Sequence, residues 1–151
     1  MSNLETHIKQ EKFQSERVKA NINILFTAHK LKTRMNAFLK NFDLTEEQFN
    51  ILRILRGKHP ETMCQKDILE RMIAPQSNMT LLIKKLRVKS FIQVERSACD
   101  GRAYVISITP AGLEVLTRID NRFPEEKQFL EQISEEDAKE LNRILSCFDW
   151  E

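Results

Sequence analysis

Two short stretches hold the side chains with the most chemistry to offer. In the first, Ser77, Asn78 and Thr80 supply hydroxyl and amide groups, Leu81 an apolar surface, and Lys84, Lys85 and Arg87 positive charge. In the second, Arg96, Asp100 and Arg102 surround Gly101. An asparagine can hold two edge groups of adenine at once, serine and threonine can bond a base edge or a phosphate, and leucine offers only apolar contact, for instance to a thymine methyl. Lysine and arginine neutralise phosphates, and an arginine beside a glycine on a loop can reach into a narrow minor groove, where negative potential is strongest. Each residue also has a plainer reading. Ser77 and Asn78 suit helix capping after Pro75, Arg102 a solvent-exposed ion pair at a turn, and Arg96, Lys84, Lys85, Arg87 and Lys89 an ordinary solvated face.

Other chemistries find little material. Cys64, Cys99 and Cys147 are an odd, widely spaced set that forms neither a disulfide framework nor a CxxC knuckle, so they read as free thiols. His7, His29 and His59 have no partner at i+4 and no short Cys/His cluster exists, so no metal is expected. There is no glycine-rich phosphate loop and no nucleophile elbow, and the acids lie in exposed helix turns, so neither an enzyme nor a cofactor is expected.

The elements that must position these residues follow from punctuation. Only three glycines and four prolines occur, none before Gly57, so the first third can hold long helices. Val18, Ile22, Leu25, Phe26, His29, Met35, Phe38 and Leu39 recur at helical spacing over 18–39. Thr45-Glu46-Glu47-Gln48 is a capping box opening a second helix with Phe49, Leu52 and Leu55 inward. A helix from about 64 to 72, the turn Ile73-Ala74-Pro75 and a helix to about 89 form a helix-turn-helix. The second of these helices buries Met79, Leu82, Ile83 and Leu86, with Ser77, Asn78, Thr80 and Leu81 early on it. The period then alternates over 91–96 and 103–109, a β-hairpin whose tip includes Gly101, free to take positive φ if the turn demands it. Thr109 and Pro110 cap and open another helix, which Pro124 bends or interrupts. Ser134 opens the last helix, with Leu141, Ile144, Leu145 and Phe148 as its stripe.

This order predicts a mainly α fold with a small β-wing, a winged helix-turn-helix flanked by terminal helices. One domain over 1–151 is expected, with a core over 45–109 and helical regions over 10–42 and 110–151. The flanking helices must bury their stripes somewhere, and a symmetric homodimer that interleaves them is the economical solution. Phe13, Val18, Ile22, Leu25, Phe129, Leu130, Ile133, Leu141, Ile144 and Phe148 would supply it; the alternative is packing within the chain.

The run LTEEQFNILRIL, the segment from Gln65 to Leu86, and DGRAYVISITPAGLEVL with its Asp100, Gly101, Arg102, Ile108, Thr109 and Gly112 resemble the MarR-type transcriptional regulators. The resemblance covers about 44–116 closely; the terminal helices match by position and amphipathicity only. It implies a regulator, by family default a repressor, that binds an inverted-repeat operator in double-stranded DNA. Arg102 would be the wing arginine, held by Asp100 through a charge-assisted pair. It further implies release by a small aromatic ligand or by oxidation of a cysteine. His29 could line a ligand pocket, although a core histidine bonded to a carbonyl is the more ordinary role. Cys99 is the thiol best placed to alter DNA contacts on oxidation, but a neighbouring carboxylate works against a reactive thiolate. Cys64 and Cys147 read as packing residues. The chain departs from the family at Leu81, commonly basic, at Ser90, usually glycine, and at Gly101, usually basic; Thr62 with Gln65 replaces the hydroxyl cap that Cys64 lacks. The competing class is a winged helix that docks proteins without reading DNA.

The net charge of +2 conceals a polarity. Residues 1–65 hold 11 basic against 7 acidic side chains, residues 66–109 hold 8 against 4, and residues 110–151 hold 5 against 11. A basic reading segment and an acidic C-terminal region would orient the molecule on DNA. No apolar run approaches the ~20 residues of a membrane span, and Glu5, His7 and Lys9 stand where a signal peptide would be apolar. A cytoplasmic protein is expected.

Overall fold

A computed structural model describes residues 3–99 and 101–150, with backbone only at 124–128. The chain runs α1 (Leu4–Ile8), α2 (Glu16–Leu39), a 3₁₀ turn (Lys40–Phe42), α3 (Glu46–Lys58), α4 (Gln65–Arg71), α5 (Met79–Val88), β1 (Ile92–Arg96), β2 (Tyr104–Ile108), α6 (Pro110–Leu130) and α7 (Glu135–Leu145). This is the mainly α, winged-helix arrangement that the sequence predicts. Among the described residues no helix is long and apolar enough to cross a membrane.

The caps explain most of the boundaries. At α3 the Gln48 amide N–H donates to Thr45 Oγ1 at 3.3 Å and the Thr45 N–H donates to Gln48 Oε1 at 3.2 Å, the reciprocal bonds of a capping box. Thr109 Oγ1 accepts from the Gly112 N–H at 3.1 Å at the start of α6, and Ser134 Oγ accepts from the Asp137 N–H at 3.0 Å at the start of α7. At α4 neither Thr62 nor Cys64 performs this role: Cys64 occupies the N-cap without a side-chain bond. The short α1 was not expected; Asn3 caps it, Leu4 is buried, and Glu5 pairs with Lys19 of α2.

The core lies among α3, α4, α5, the hairpin and the first half of α6, with Ile51, Leu52, Leu55, Ile68, Leu86, Ile106, Leu116 and Ile119 fully enclosed. The strands are antiparallel, pairing Ile92 with Ile108 and Arg96 with Tyr104. Met63 adds a bridge to Ile106, at 2.7 and 2.8 Å, that fastens the segment before α4 to the wing. A single bridged residue has no alternation to betray it in sequence. Of the two expectations at Pro124, a bend or an interruption, the interruption does not occur: α6 runs through it, because one missing N–H removes one bond and the turns on either side continue.

One glycine expectation changes and another glycine gains a physical reason. Gly101 does not adopt positive φ, whereas Ser90, at φ 62°, does. Its place between α5 and β1 needs a left-handed residue, which is why glycine suits the position. Gly112 is required by contact: a Cβ there would lie 2.3 Å from the Phe91 carbonyl oxygen and 2.7 Å from Ile108 Cγ1. Its absence lets α6 lie directly against the base of the hairpin.

Helix α2 joins the core only at its C-terminal end, where Phe38 and Leu39 are buried, and α7 buries nothing. His29 therefore lies exposed on α2, not in a core, because α2 meets the rest of the chain mainly through its C-terminal end. Cys147, expected to pack, is exposed, with its Sγ 3.3 Å from the Arg143 carbonyl oxygen, while Cys64 is half-buried.

Candidate nucleic-acid interface

Helix α5 is held by its inner face. Met79, Leu82, Ile83 and Leu86 are buried, so Thr80, Leu81, Lys84, Lys85, Arg87 and Val88 all lie on the open side. Spacing of three and four residues forces this division once one stripe is buried. Ser77 and Asn78 do not lie on the helix as expected; they form the turn before it. Asn78 is the N-cap residue, yet its side chain makes no cap bond, and only its carbonyl accepts, from Leu81 and Leu82 N–H at 3.0 and 3.2 Å. Its amide is thereby left exposed at the N-terminal end of α5, the end a helix-turn-helix turns toward base edges.

Side chains from neighbouring elements set the tilt of α5. Gln65 Nε2 of α4 donates to Thr80 Oγ1 at 3.4 Å, linking the first turns of the two helices. The Asn50 side-chain carbonyl accepts the Ile73 N–H at 3.0 Å and fixes the intervening turn against α3. At the other end Lys89 does not join the solvated face. Its Nζ donates to Gln48 Oε1 at 3.2 Å and to the Asp43 carbonyl oxygen, and lies 3.5 Å from Asp43 Oδ2. One lysine so ties the C-terminus of α5 to the capping box of α3. Sequence reasoning missed this joint; the signal was Gln48, a polar residue that the capping box explains but whose burial demands a further partner.

The wing projects from the core as an antiparallel pair. Ile92, Ile106 and Ile108 are buried at its base, while Tyr104, on the same face, has passed the edge of the core and is exposed. Ser97 N–H donates to the Ala103 carbonyl at 2.8 Å and closes the last rung before the tip. Cys99, Gly101 and Arg102 are exposed there; Asp100 lies outside the described residues, and so does its pairing with Arg102. Arg96 is engaged within the chain, its guanidinium 5.9 Å from the Tyr104 ring centre and 3.3 Å from the Gly101 carbonyl oxygen.

An open polar and basic helix beside a protruding hairpin is the geometry that enters a major groove and touches the flanking backbone. The family model for the transcriptional regulators SarA/Rot matches residues 33–119. The chain belongs to the SarA/Rot family of transcriptional regulators. It is a DNA-binding regulator of the MarR type and not an enzyme. It is 26% identical to the HTH-type transcriptional regulator MgrA of Staphylococcus aureus over 110 residues, 73% of each chain. It is 27% identical over 113 residues, 74% of each chain, to an HTH-type transcriptional regulator of Bacillus cereus. Among solved structures, the S. aureus MepR–DNA complex superposes with a TM-score of 0.74 at 25% identity, covering 84% of this chain and 93% of that one. A MarR-like transcription regulator from B. cereus superposes with a TM-score of 0.77 over 86% of this chain and 93% of that one; at 20% identity it shows the fold alone.

Two clefts flank α2. One, of 290 Å³, is lined by Ala28, Met35, Phe49, Met72, Ile73 and Ala74, with Lys32, Glu46, Glu47, Asn50 and Arg53 at its edges. The other, of 340 Å³, lies toward Phe123, Phe129 and Leu130. His29 lines neither. The ion pair of Lys32 and Glu47, 3.1 Å apart, closes one side of the first cleft. Burial by itself would raise the Glu47 pKa, but its backbone bond, then Lys32 and the Thr45 hydroxyl outweigh burial and hold it below 4.5. Hydrogen bonding to Glu47 raises Lys32 above 10.5. Among the described residues no group of histidine, cysteine and carboxylate side chains could hold a metal.

Proposed function

We propose that the chain is a homodimeric repressor that works in the cytoplasm, reads an inverted-repeat operator and is released from it by a small ligand. The observation that carries this reading is the contrast between stripes: α5 buries its own and presents a polar, basic face, whereas α2 and α7 leave theirs open. Val18, Leu25, Leu31, Leu130, Leu141 and Ile144 on the terminal helices, with Ile133 and Phe148 in the turns on either side of α7, are exposed apolar residues, and an interleaved second copy would cover them. In this assignment residues 1–151 form one domain, with 45–109 as its core and 10–42 and 110–151 as the dimer region.

The two α5 helices of the dimer then enter major grooves about 34–36 Å apart, one helical turn. Ser77, Asn78, Thr80 and Leu81 meet base edges, Lys84 and Lys85 meet phosphates, and the wing carries Arg102 into the adjoining minor groove with Asp100 orienting it. The acidic C-terminal region faces away from the duplex. The cleft walled by Met35, Phe49 and Met72 lies between the dimer helix α2 and the reading head, and its apolar lining suits a small aromatic ligand. A ligand wedged there alters the angle between the two parts, which sets the separation of the α5 pair.

Selection of duplexes from a random pool tests the reading directly. An enriched inverted repeat, bound with an affinity that falls steeply and linearly on a logarithmic salt scale, is the expected result. A pool with no enriched inverted repeat would overturn the sequence-specific, two-fold reading. On the selected site, Arg102→Ala is expected to cost about 1–3 kcal/mol; unchanged binding by a folded variant would remove the wing from the interface.

A further inference from the structure

We infer that Arg96 is the positioning residue of the wing: it clamps the tip in the orientation that presents Arg102, instead of contacting phosphate itself. The inference rests on the proposed role of the wing in DNA binding. Arg96 and Tyr104 are cross-strand partners at the last residue of β1 and the first of β2, so their side chains emerge together where the hairpin leaves the core. The guanidinium stands 5.9 Å from the Tyr104 ring centre and directs an N–H to the Gly101 carbonyl oxygen at 3.3 Å. That carbonyl belongs to the peptide group joining Gly101 to Arg102. Holding it fixes the plane from which the Arg102 backbone departs.

Only arginine meets both demands. Its planar cation rests against an aromatic face while its edge N–H groups remain available to an acceptor in the same plane, whereas an ammonium is a point charge on a flexible stem. The need is local: beyond the rung between Ser97 and Ala103 the chain leaves the ladder, and Gly101 has open space where a side chain would stand. A tip of this composition has high conformational freedom unless something ties it back. Arg96 ties it to the end of the strand, committing one guanidinium N–H and its cationic face to the chain itself.

The test compares wild type with Arg96→Ala, Arg96→Lys, Tyr104→Leu and Arg102→Ala, using fluorescence anisotropy on the selected operator across salt concentrations and amide hydrogen exchange of the DNA-free proteins. Arg96→Ala is expected to weaken binding about 5- to 10-fold with an unchanged salt slope, because no phosphate contact is lost. Tyr104→Leu, which removes no charge, is expected to weaken binding similarly. Arg96→Lys is expected not to rescue, and amides of 97–103 to exchange faster in all three. A slope reduced by about 0.9 in Arg96→Ala, the value for one lost phosphate, with binding restored in Arg96→Lys, would overturn the inference in favour of a direct contact. So would wing amides that exchange as in wild type. Arg102→Ala binding like wild type overturns the wing reading instead, and the exchange measurement on free protein still decides the clamp.

Discussion

Helices α5 and α7 carry nearly the same pattern and meet opposite fates. In α5, Met79, Leu82, Ile83 and Leu86 are exposed by 2, 7, 7 and 0%. The expected α7 stripe of Leu141, Ile144, Leu145 and Phe148 is spaced like the first; Phe148 falls in the turn after the helix, and the four remain exposed by 46, 44, 37 and 45%. Both are amphipathic, and α7, the one left open, is the more strongly amphipathic, so that property does not decide which stripe is buried. What separates them is a facing surface: α5 has α3, β1 and the rest of the head to pack on, whereas no residue of α7 is buried against the described residues of its own chain. An amphipathic stripe therefore says that a surface must be covered, and the contacts of the whole fold say by what.

The comparison breaks first in the head. Gly112→Ala forces a methyl group against the Phe91 carbonyl, and Leu86→Ala empties a fully enclosed position. Each is expected to cost about 3 kcal/mol or more in urea unfolding; a loss under 1 kcal/mol would mean that the head is looser than its packing implies. The same kind of change in the other stripe is expected to act on assembly. Leu141→Asp combined with Ile144→Asp should halve the mass seen in sedimentation velocity while far-UV circular dichroism keeps its helical signal, and operator affinity should fall at least 100-fold. A double variant that stays dimeric would show that α7 is not covered by a second copy.

A smaller effect sharpens the boundary between head and dimer helix. Glu47 has a folded-state pKa below its ordinary value, so its contribution is present above that ordinary value and fades as pH falls through the folded one. Lys32 is raised, so its contribution is present below its ordinary value and fades only as pH climbs through the folded one. Glu47→Gln is therefore expected to lower stability by at most about 1 kcal/mol at neutral pH, as befits a pair near the surface. The difference from wild type should vanish in acid, below the carboxylate range; a difference that persisted there would assign the effect to something other than charge. Least of all, Ser90→Gly should stabilise by about 0.5 kcal/mol, since relief of the left-handed strain is partly offset by the freedom glycine brings to the unfolded chain. A thermal midpoint that falls instead would show that the Ser90 side chain contributes more than its backbone geometry costs.

Much of this was legible beforehand, and the particulars say why. Thr45-Glu46-Glu47-Gln48, Thr109-Pro110 and Ser134 announced helix starts because a cap bonds to groups two or three residues away, within reach of a sequence window. The buried stripe of α5 was legible for the same reason. The start of α5 was placed too early because Ser77 and Asn78 resemble caps, and a residue that suits a cap can equally sit in the turn before the helix. Arg96 and Lys89 read as phosphate contacts or as solvated cations: nothing in their immediate neighbours names Gly101 and Tyr104, or Gln48 and Asp43, as the groups they meet. His29 was assigned to an apolar face by its period, but the period does not say whether that face has anything to lie against.

The sequence by itself determined the order of elements, the caps, the alternation of the wing, the inward stripe of the reading helix and the charge polarity from head to tail. All of these depend on interactions a few residues apart or on composition summed over a segment. Tertiary structure decided which basic residues are committed within the chain, why Gly112 cannot bear a side chain, why a left-handed turn falls on Ser90, and which stripes remain open. Those outcomes depend on atoms brought together from distant parts of the chain, and a contact of that kind exists only once the backbone has closed around it.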